Sequence, residues 1–180
     1  MEILKKSFII TLALIPFSLA HANYLFAPSL SYLERNTNDN GTSSDVKLTK
    51  IDLKLGYVFD FGMYLGGVYS LSDENFGTDS SDYTLGFSAG YIRDGFFGIL
   101  TYHLLGERDL AAGGIKYSGA SGFQLDTGYV IPLTDNLSLG PQLSWSDVKY
   151  RDQENSGIAT SANYDWSGIT PYFTLWFMFK

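Results

Sequence analysis

Apolar and polar residues alternate along most of this chain. In 50–59, Ile51, Leu53, Leu55, Tyr57 and Phe59 fall on one face, and Lys50, Asp52, Lys54, Gly56 and Val58 on the other. A strand keeps such charges on one side, whereas a helix would scatter them. Eight segments of this kind read as strands, near 24–35, 48–59, 63–72, 82–93, 96–105, 115–132, 137–149 and 164–179. In the fourth, Tyr83, Leu85, Phe87, Ala89 and Tyr91 alternate with Thr84, Gly86, Ser88 and Gly90. In the last, Ile169, Pro171, Phe173, Leu175, Phe177 and Phe179 share a face. The third and fifth are weaker, because Tyr64, Val68, Phe97 and Ile99 sit on the polar face. Val148 and Tyr150 break parity in the seventh, as expected where a strand bulges or leaves a membrane.

The connections alternate in length. Short turns are expected at Asp60-Phe61-Gly62, Arg93-Asp94-Gly95 and Thr134-Asp135-Asn136, and long polar loops near 36–47, 73–81, 106–114 and 150–163. Asp94-Gly95 is a strong tight-turn signal. This rhythm predicts an up-and-down meander with all turns at one end and all loops at the other. Two closed barrels fit it: a soluble, lipocalin-like one with its apolar face inward, and a membrane barrel with that face outward.

Three features favour lipid. The polar face is built of small residues, among them Ser29, Ser31, Gly66, Ser70, Ser88, Ala120, Gly122 and Ser144. A narrow interior needs small side chains, whereas a wetted exterior would carry many charges. Aromatics gather at both ends of the apolar face: Tyr57, Phe59, Tyr91, Phe96, Tyr129, Phe177 and Phe179 near the turns, and Tyr32, Tyr69, Tyr83, Tyr102, Tyr117, Trp145 and Trp166 near the loops. Two such belts are what two membrane interfaces select. Eight tilted strands of about 9–11 residues also fit the available length.

Composition agrees. The chain has 180 residues, 45% apolar but only 17% charged, below the ~25% usual for soluble domains. The absence of cysteine excludes a disulfide scaffold and a zinc–thiolate site. A net charge of −7 argues against a nucleic-acid partner. Residues 1–22 read as a secretory signal: Lys5 and Lys6, an apolar run from Phe8 to Leu19, then Ala20-His21-Ala22. A helical anchor fits less well, since a span needs about 20 apolar residues. Cleavage would leave 180 − 22 = 158 residues, 23–180, with a charge of 10 − 18 = −8 and one histidine, His103.

The mature pattern resembles the small eight-stranded bacterial outer-membrane barrels of the OmpA/OmpX type. The resemblance is sharpest in the last strand, where Phe173, Leu175, Phe177 and Phe179 match the alternating aromatic ending that the barrel-assembly machinery recognises in that family. Here Lys180 follows Phe179, whereas family members usually end on phenylalanine. The resemblance implies a Gram-negative outer membrane, periplasmic turns, loops outside the cell, and contact with outer-membrane lipids and lipopolysaccharide.

The inward face carries the candidate chemistry: Lys50, Asp52, Lys54, His103, Gln124, Asp126 and Gln142. Lys54 lies six residues from its turn and Asp126 about eight from its own, so the two are expected to meet across the interior. One reading is a plug of salt bridges and hydrogen bonds. The other is a narrow, gated ion path. Enzymes on barrels of this size include lipid A acyltransferases and deacylases, which use histidine with serine and a carboxylate. Thr101-Tyr102-His103-Leu104-Leu105 lacks the His-x-Ser pattern of the deacylases, and His103 is expected to face inward. No nucleophile, base and orienter can be named together. Asp73, Asn75 and Asp79 have the spacing of alternate calcium ligands, but the glycine is misplaced and the terminal glutamate is missing; a solvated acidic tip fits better.

The reading is therefore an all-β, closed, eight-stranded antiparallel transmembrane barrel without cofactor or catalytic site. Its expected role is structural or surface-interacting, through loops that meet an external ligand. A small-solute channel is the second reading and a lipid-modifying enzyme the third.

Overall fold

The computed structural model describes residues 22–39, 42–75, 79–111, 114–155 and 158–179. The expected signal, apart from Ala22, and Lys180 lie outside the described residues. The chain forms β1 (Ala22–Asp39), β2 (Thr42–Phe59), β3 (Met63–Asn75), β4 (Asp79–Arg93), β5 (Phe96–Leu110), β6 (Ile115–Ser118), β7 (Ser121–Tyr129), β8 (Ile131–Pro132), β9 (Leu137–Asn155) and β10 (Ile158–Phe179). Both β6 and β7 pair with β5 on one side and β9 on the other, so they are two halves of one stave. They are separated at Gly119-Ala120, where Gly119 has φ 71°. Each stave is antiparallel to its neighbours, and β10 pairs with both β9 and β1. The sheet closes as a ring of eight staves, and closure removes the exposed edges of an open sheet.

Local chemistry sets the turns. Asp94 and Gly95 both have positive φ, 52° and 85°, the backbone of a type I′ hairpin turn. In the third short connection, Leu137 N–H donates to the Thr134 hydroxyl at 3.1 Å. Met178 N–H reaches the Asn136 carbonyl at 2.9 Å and ties that turn to β10.

The apolar face points outward. Leu30, Leu55, Phe87, Leu100, Leu125, Ile169 and Phe173 are all exposed. On β2 the apolar outer positions run over 51–59. Nine residues at ~3.3 Å each, tilted ~40°, rise about 23 Å, close to the ~25 Å apolar band of an outer-membrane barrel. Above the band the outward residues turn polar: Glu34, Asp73, Asp79, Asp109, Lys149 and Asp165.

Two expectations need correction. The expected long loops are largely strand. Pairing continues to Asp39↔Thr42, Asn75↔Asp79, Leu110↔Ile115 and Asn155↔Ile158, so hairpin arms rise above the band. Polar residues on both faces conceal these arms from a periodicity argument, yet their main-chain bonds still form. The parity break expected in the seventh segment is absent. β9 keeps its register against both neighbours through Val148 and Tyr150, which point inward. Bulges lie instead on β10, between Ser161 and Tyr164 opposite Asp152 and Tyr150, and on β5, where Leu85 pairs with Leu105 and Gly86 with His103. Leu104 is the extra residue, and both Leu104 and Leu105 are exposed.

The weak positions of the third and fifth segments have a purpose. Tyr64, Phe97 and Ile99 join Leu25, Ala27, Val58, Val130 and Trp176 in an apolar plug at the short-turn end. Gly56 and Gly66 pair across β2 and β3, and Tyr64 lies over them. A Cβ on Gly66 would come 2.4 Å from the Tyr64 hydroxyl. The rings of Phe97 and Trp176 meet at 4.7 Å.

Candidate functional site: the charged interior

Above the plug the interior becomes polar. Asp52 and Lys54 project inward from β2, and Gln124 and Asp126 from β7, four staves away around the ring. Lys54 Nζ lies 3.1 Å from Asp126 Oδ2 and 3.6 Å from Asp52 Oδ2. The Lys54–Asp126 contact is an ion pair rather than an aligned hydrogen bond. Amides and hydroxyls complete the layer. Gln124 Nε2 donates to Asp52 Oδ2 at 2.7 Å and to Asp126 Oδ1 at 2.9 Å. Gln142 Nε2 donates to Ser144 Oγ at 2.8 Å and to Asp126 Oδ1 at 3.2 Å, and Ser144 also donates to Asp126. Ser29 donates to Gln142 Oε1 at 3.1 Å, and Trp176 Nε1 to Thr174 at 3.0 Å. His103 Nε2 lies 3.3 Å from Gln124 Oε1. All seven inward polar residues named from the sequence are buried in the barrel interior. One cation stands against two carboxylates, a formal charge of 1 − 2 = −1 for Lys54, Asp52 and Asp126. The network distributes that charge over neighbouring dipoles, as a buried carboxylate requires.

A second ionic layer lies nearer the arms. Arg108 Nη2 is 2.8 Å from Glu74 Oε2 and 3.0 Å from Ser80 Oγ, and Arg108 Nη1 is 3.5 Å from Asp82 Oδ1. Lys50 Nζ is 3.9 Å from Glu74 Oε1 and stands 3.5 Å over the Trp166 ring. Sequence reasoning named only Lys50 of this layer. Glu74 belonged to the expected solvated tip, with Asp82 just beyond it, but both side chains point into the barrel from β3 and β4. Asp73 and Asp79 of that tip do face outward. The available signal was parity, since Glu74 continues the inward set Val68, Ser70 and Ser72.

Trp166 is also a correction. It was expected in the outer aromatic belt, but it shares the inward face with Thr170, Tyr172 and Thr174 and pairs with inward Val148. Tyr117 likewise packs inward, against Tyr164 at 4.8 Å. The other belt residues lie on the outer face. Toward the turns these are Tyr57, Phe59, Tyr91, Tyr129, Phe177 and Phe179; farther up are Tyr32, Tyr83, Tyr102 and Trp145. The final-strand set Phe173, Leu175, Phe177 and Phe179 projects outward from β10.

Between the two ionic layers an interior cavity of about 30 Å³ remains, bordered by Asp52, His103, Gln124 and Tyr172. That volume suits a single water rather than a solute.

Comparison with solved structures places this architecture. Neisserial surface protein A superposes with a TM-score of 0.52 at 19% identity, covering 88% of this chain and 99% of that one. The fold is that of a small outer-membrane β-barrel. The outer membrane protein OprG from Pseudomonas aeruginosa is a more distant likeness, with a TM-score of 0.43, 11% identity, and coverage of 88% and 96%. No protein-family model matches the sequence, and no curated protein does.

Proposed function

We propose that the chain is an integral barrel of a Gram-negative outer membrane, with a structural and surface-interacting role. Its partners in this reading are outer-membrane lipids, lipopolysaccharide, the barrel-assembly machinery and an external ligand met by the hairpin arms. The observation that carries the reading is the filled interior. An apolar plug and two ionic layers occupy the space a solute would need. Water-filled porins use about 16–18 staves, twice the number in this ring. The apolar girdle supports residence in lipid, and the polar arms above it supply surface for contact.

A catalytic role has less support. His103 is buried, and the hydrogen bond it makes is to the Gln124 amide oxygen rather than to a serine.

Planar-bilayer recording and surface proteolysis together test this proposal. The folded protein is expected to leave the bilayer silent. Trypsin added to intact cells is expected to clip the arms, at Lys47 or Arg151, and leave the barrel embedded. Steady unitary conductance would favour the channel reading instead.

A further inference from the structure

Among the described residues the barrel encloses three cations, Lys50, Lys54 and Arg108, and four carboxylates, Asp52, Glu74, Asp82 and Asp126. With His103 neutral the interior charge is 3 − 4 = −1. An unbalanced charge is costly away from water, so the interior favours the uptake of one proton. The contacts show where it belongs. Asp126 meets Lys54 at 3.1 Å and accepts from Gln124 at 2.9 Å. Glu74 lies 2.8 Å from Arg108, and Asp52 accepts from Gln124 at 2.7 Å. Asp82 has the poorest support: its Oδ1 is 3.5 Å from Arg108 and accepts no hydrogen bond. His103 is no better host. Gln124 gives its amide N–H groups to Asp52 and Asp126, so its Oε1 accepts from His103 Nε2. The neutral imidazole already supplies that hydrogen, and a second one on Nδ1 would face no partner.

Asp82 also stands where a proton can reach it. Lys50, Ser72, Asp82 and Arg108 form one cross-strand row, the first above the apolar band of 51–59. The extra residue at Leu104 turns Arg108 to the same inward face as His103, which a regular strand would not do. The Asp82 side chain is 17% exposed and borders the interior cavity. The charges around it are Lys50 from β2, Glu74 from β3 and Arg108 from β5. Asp52 and His103 border the same cavity. Tyr150 from β9, with Tyr164 and Tyr172 from β10, adds only phenols, which stay neutral near neutral pH. Burial pushes the Asp82 carboxyl up to about 6, against the opposing pull of Arg108 and Lys50.

We propose that Asp82 is a proton-operated latch at the barrel mouth: it takes up one proton as the surroundings turn mildly acidic, and the filled interior becomes charge-balanced and more stable. Once neutral, the carboxyl can donate to Ser72, its cross-strand partner, and Arg108 serves Glu74 alone. Ionised, it competes with Glu74 for Arg108 and restores the unbalanced charge. The folded state holds this proton more tightly than the unfolded chain, whose aspartates titrate near ~3.9. The added stability is therefore complete below the unfolded value and is lost as pH rises through about 6. The latch needs only the closed barrel, whatever the arms meet outside.

The full chain, folded in detergent micelles and carrying ¹³C in its aspartate carboxyls, is titrated by NMR. One aspartate is expected to titrate with a midpoint of about 6, whereas exposed aspartates titrate near ~4. Asp82→Asn should abolish that resonance. Asp79→Asn, which removes an outward carboxylate of the same strand, should leave it in place. Asp82→Glu keeps an acid but carries no label, so it makes the same assignment if the asparagine variant does not fold. Urea unfolding then reads the latch itself. Between neutral pH and about pH 5 the folding constant of the wild type is expected to rise about tenfold. Asp79→Asn should keep that rise and Asp82→Asn should lose it. The proposal is overturned if no aspartate titrates near 6, if the resonance persists in both Asp82 variants, or if Asp82→Asn gains stability with acid as the wild type does.

Discussion

Lys54 on β2 and Asp126 on β7 meet at 3.1 Å across the full width of the barrel. The contact joins staves that share no main-chain bonds, so it braces the ring where the sheet cannot. Removing the cation strands two buried carboxylates. Lys54→Met is expected to destabilise by about 3–5 kcal/mol, as for other broken buried pairs. Lys54→Met with Asp126→Asn should cost clearly less than the sum of the single changes. Urea unfolding in detergent micelles measures all three. Strict additivity would mean that the contact contributes nothing.

Phe87 is 61% exposed on the outer face near the middle of the band, and its neighbour Ser88 points inward to Thr101 at 2.7 Å. Phe87→Arg places a charge in hydrocarbon and is expected to cost about 2–4 kcal/mol of folding free energy in vesicles. Ser88→Thr adds one methyl inside and should be milder. Equal effects would mean that the faces are misassigned.

Trp176 is 2% exposed in the plug, against Phe97. Trp176→Ala is expected to cost about 3–5 kcal/mol through the cavity it leaves. It should not create conductance, because the ionic layers above remain in place. The melting of heat-modified gel mobility tests the first expectation, and bilayer recording the second.

Gly95 has φ 85°, and an added Cβ would come 2.5 Å from the Val130 carbonyl oxygen. Gly95→Ala is expected to destabilise by more than ~1 kcal/mol, since both the backbone conformation and the space oppose it. An unchanged unfolding midpoint would contradict the turn geometry.

Much of the fold was legible in residue order. The alternation in 50–59 marks a strand and assigns its faces, and Asp94-Gly95 marks a hairpin. The arms were not legible. Glu74, Ser80 and Asp82 lie in stretches that are polar on both faces, where alternation has no contrast to report. Trp166 was misplaced for a different reason. An aromatic near a strand end was assigned to the belt by type, while its parity with Thr170 and Tyr172 put it inside.

The sequence by itself determined the local frame: strands of period two, tight turns between alternate pairs, and one apolar and one polar face on each strand. These follow from short-range sterics and from the burial preference of each position. Only the tertiary structure decided which inward groups touch. Closure and stagger bring Lys54 to Asp126 and Arg108 to Glu74. Such contacts depend on the relative height of distant strands, and alternation carries no information about height.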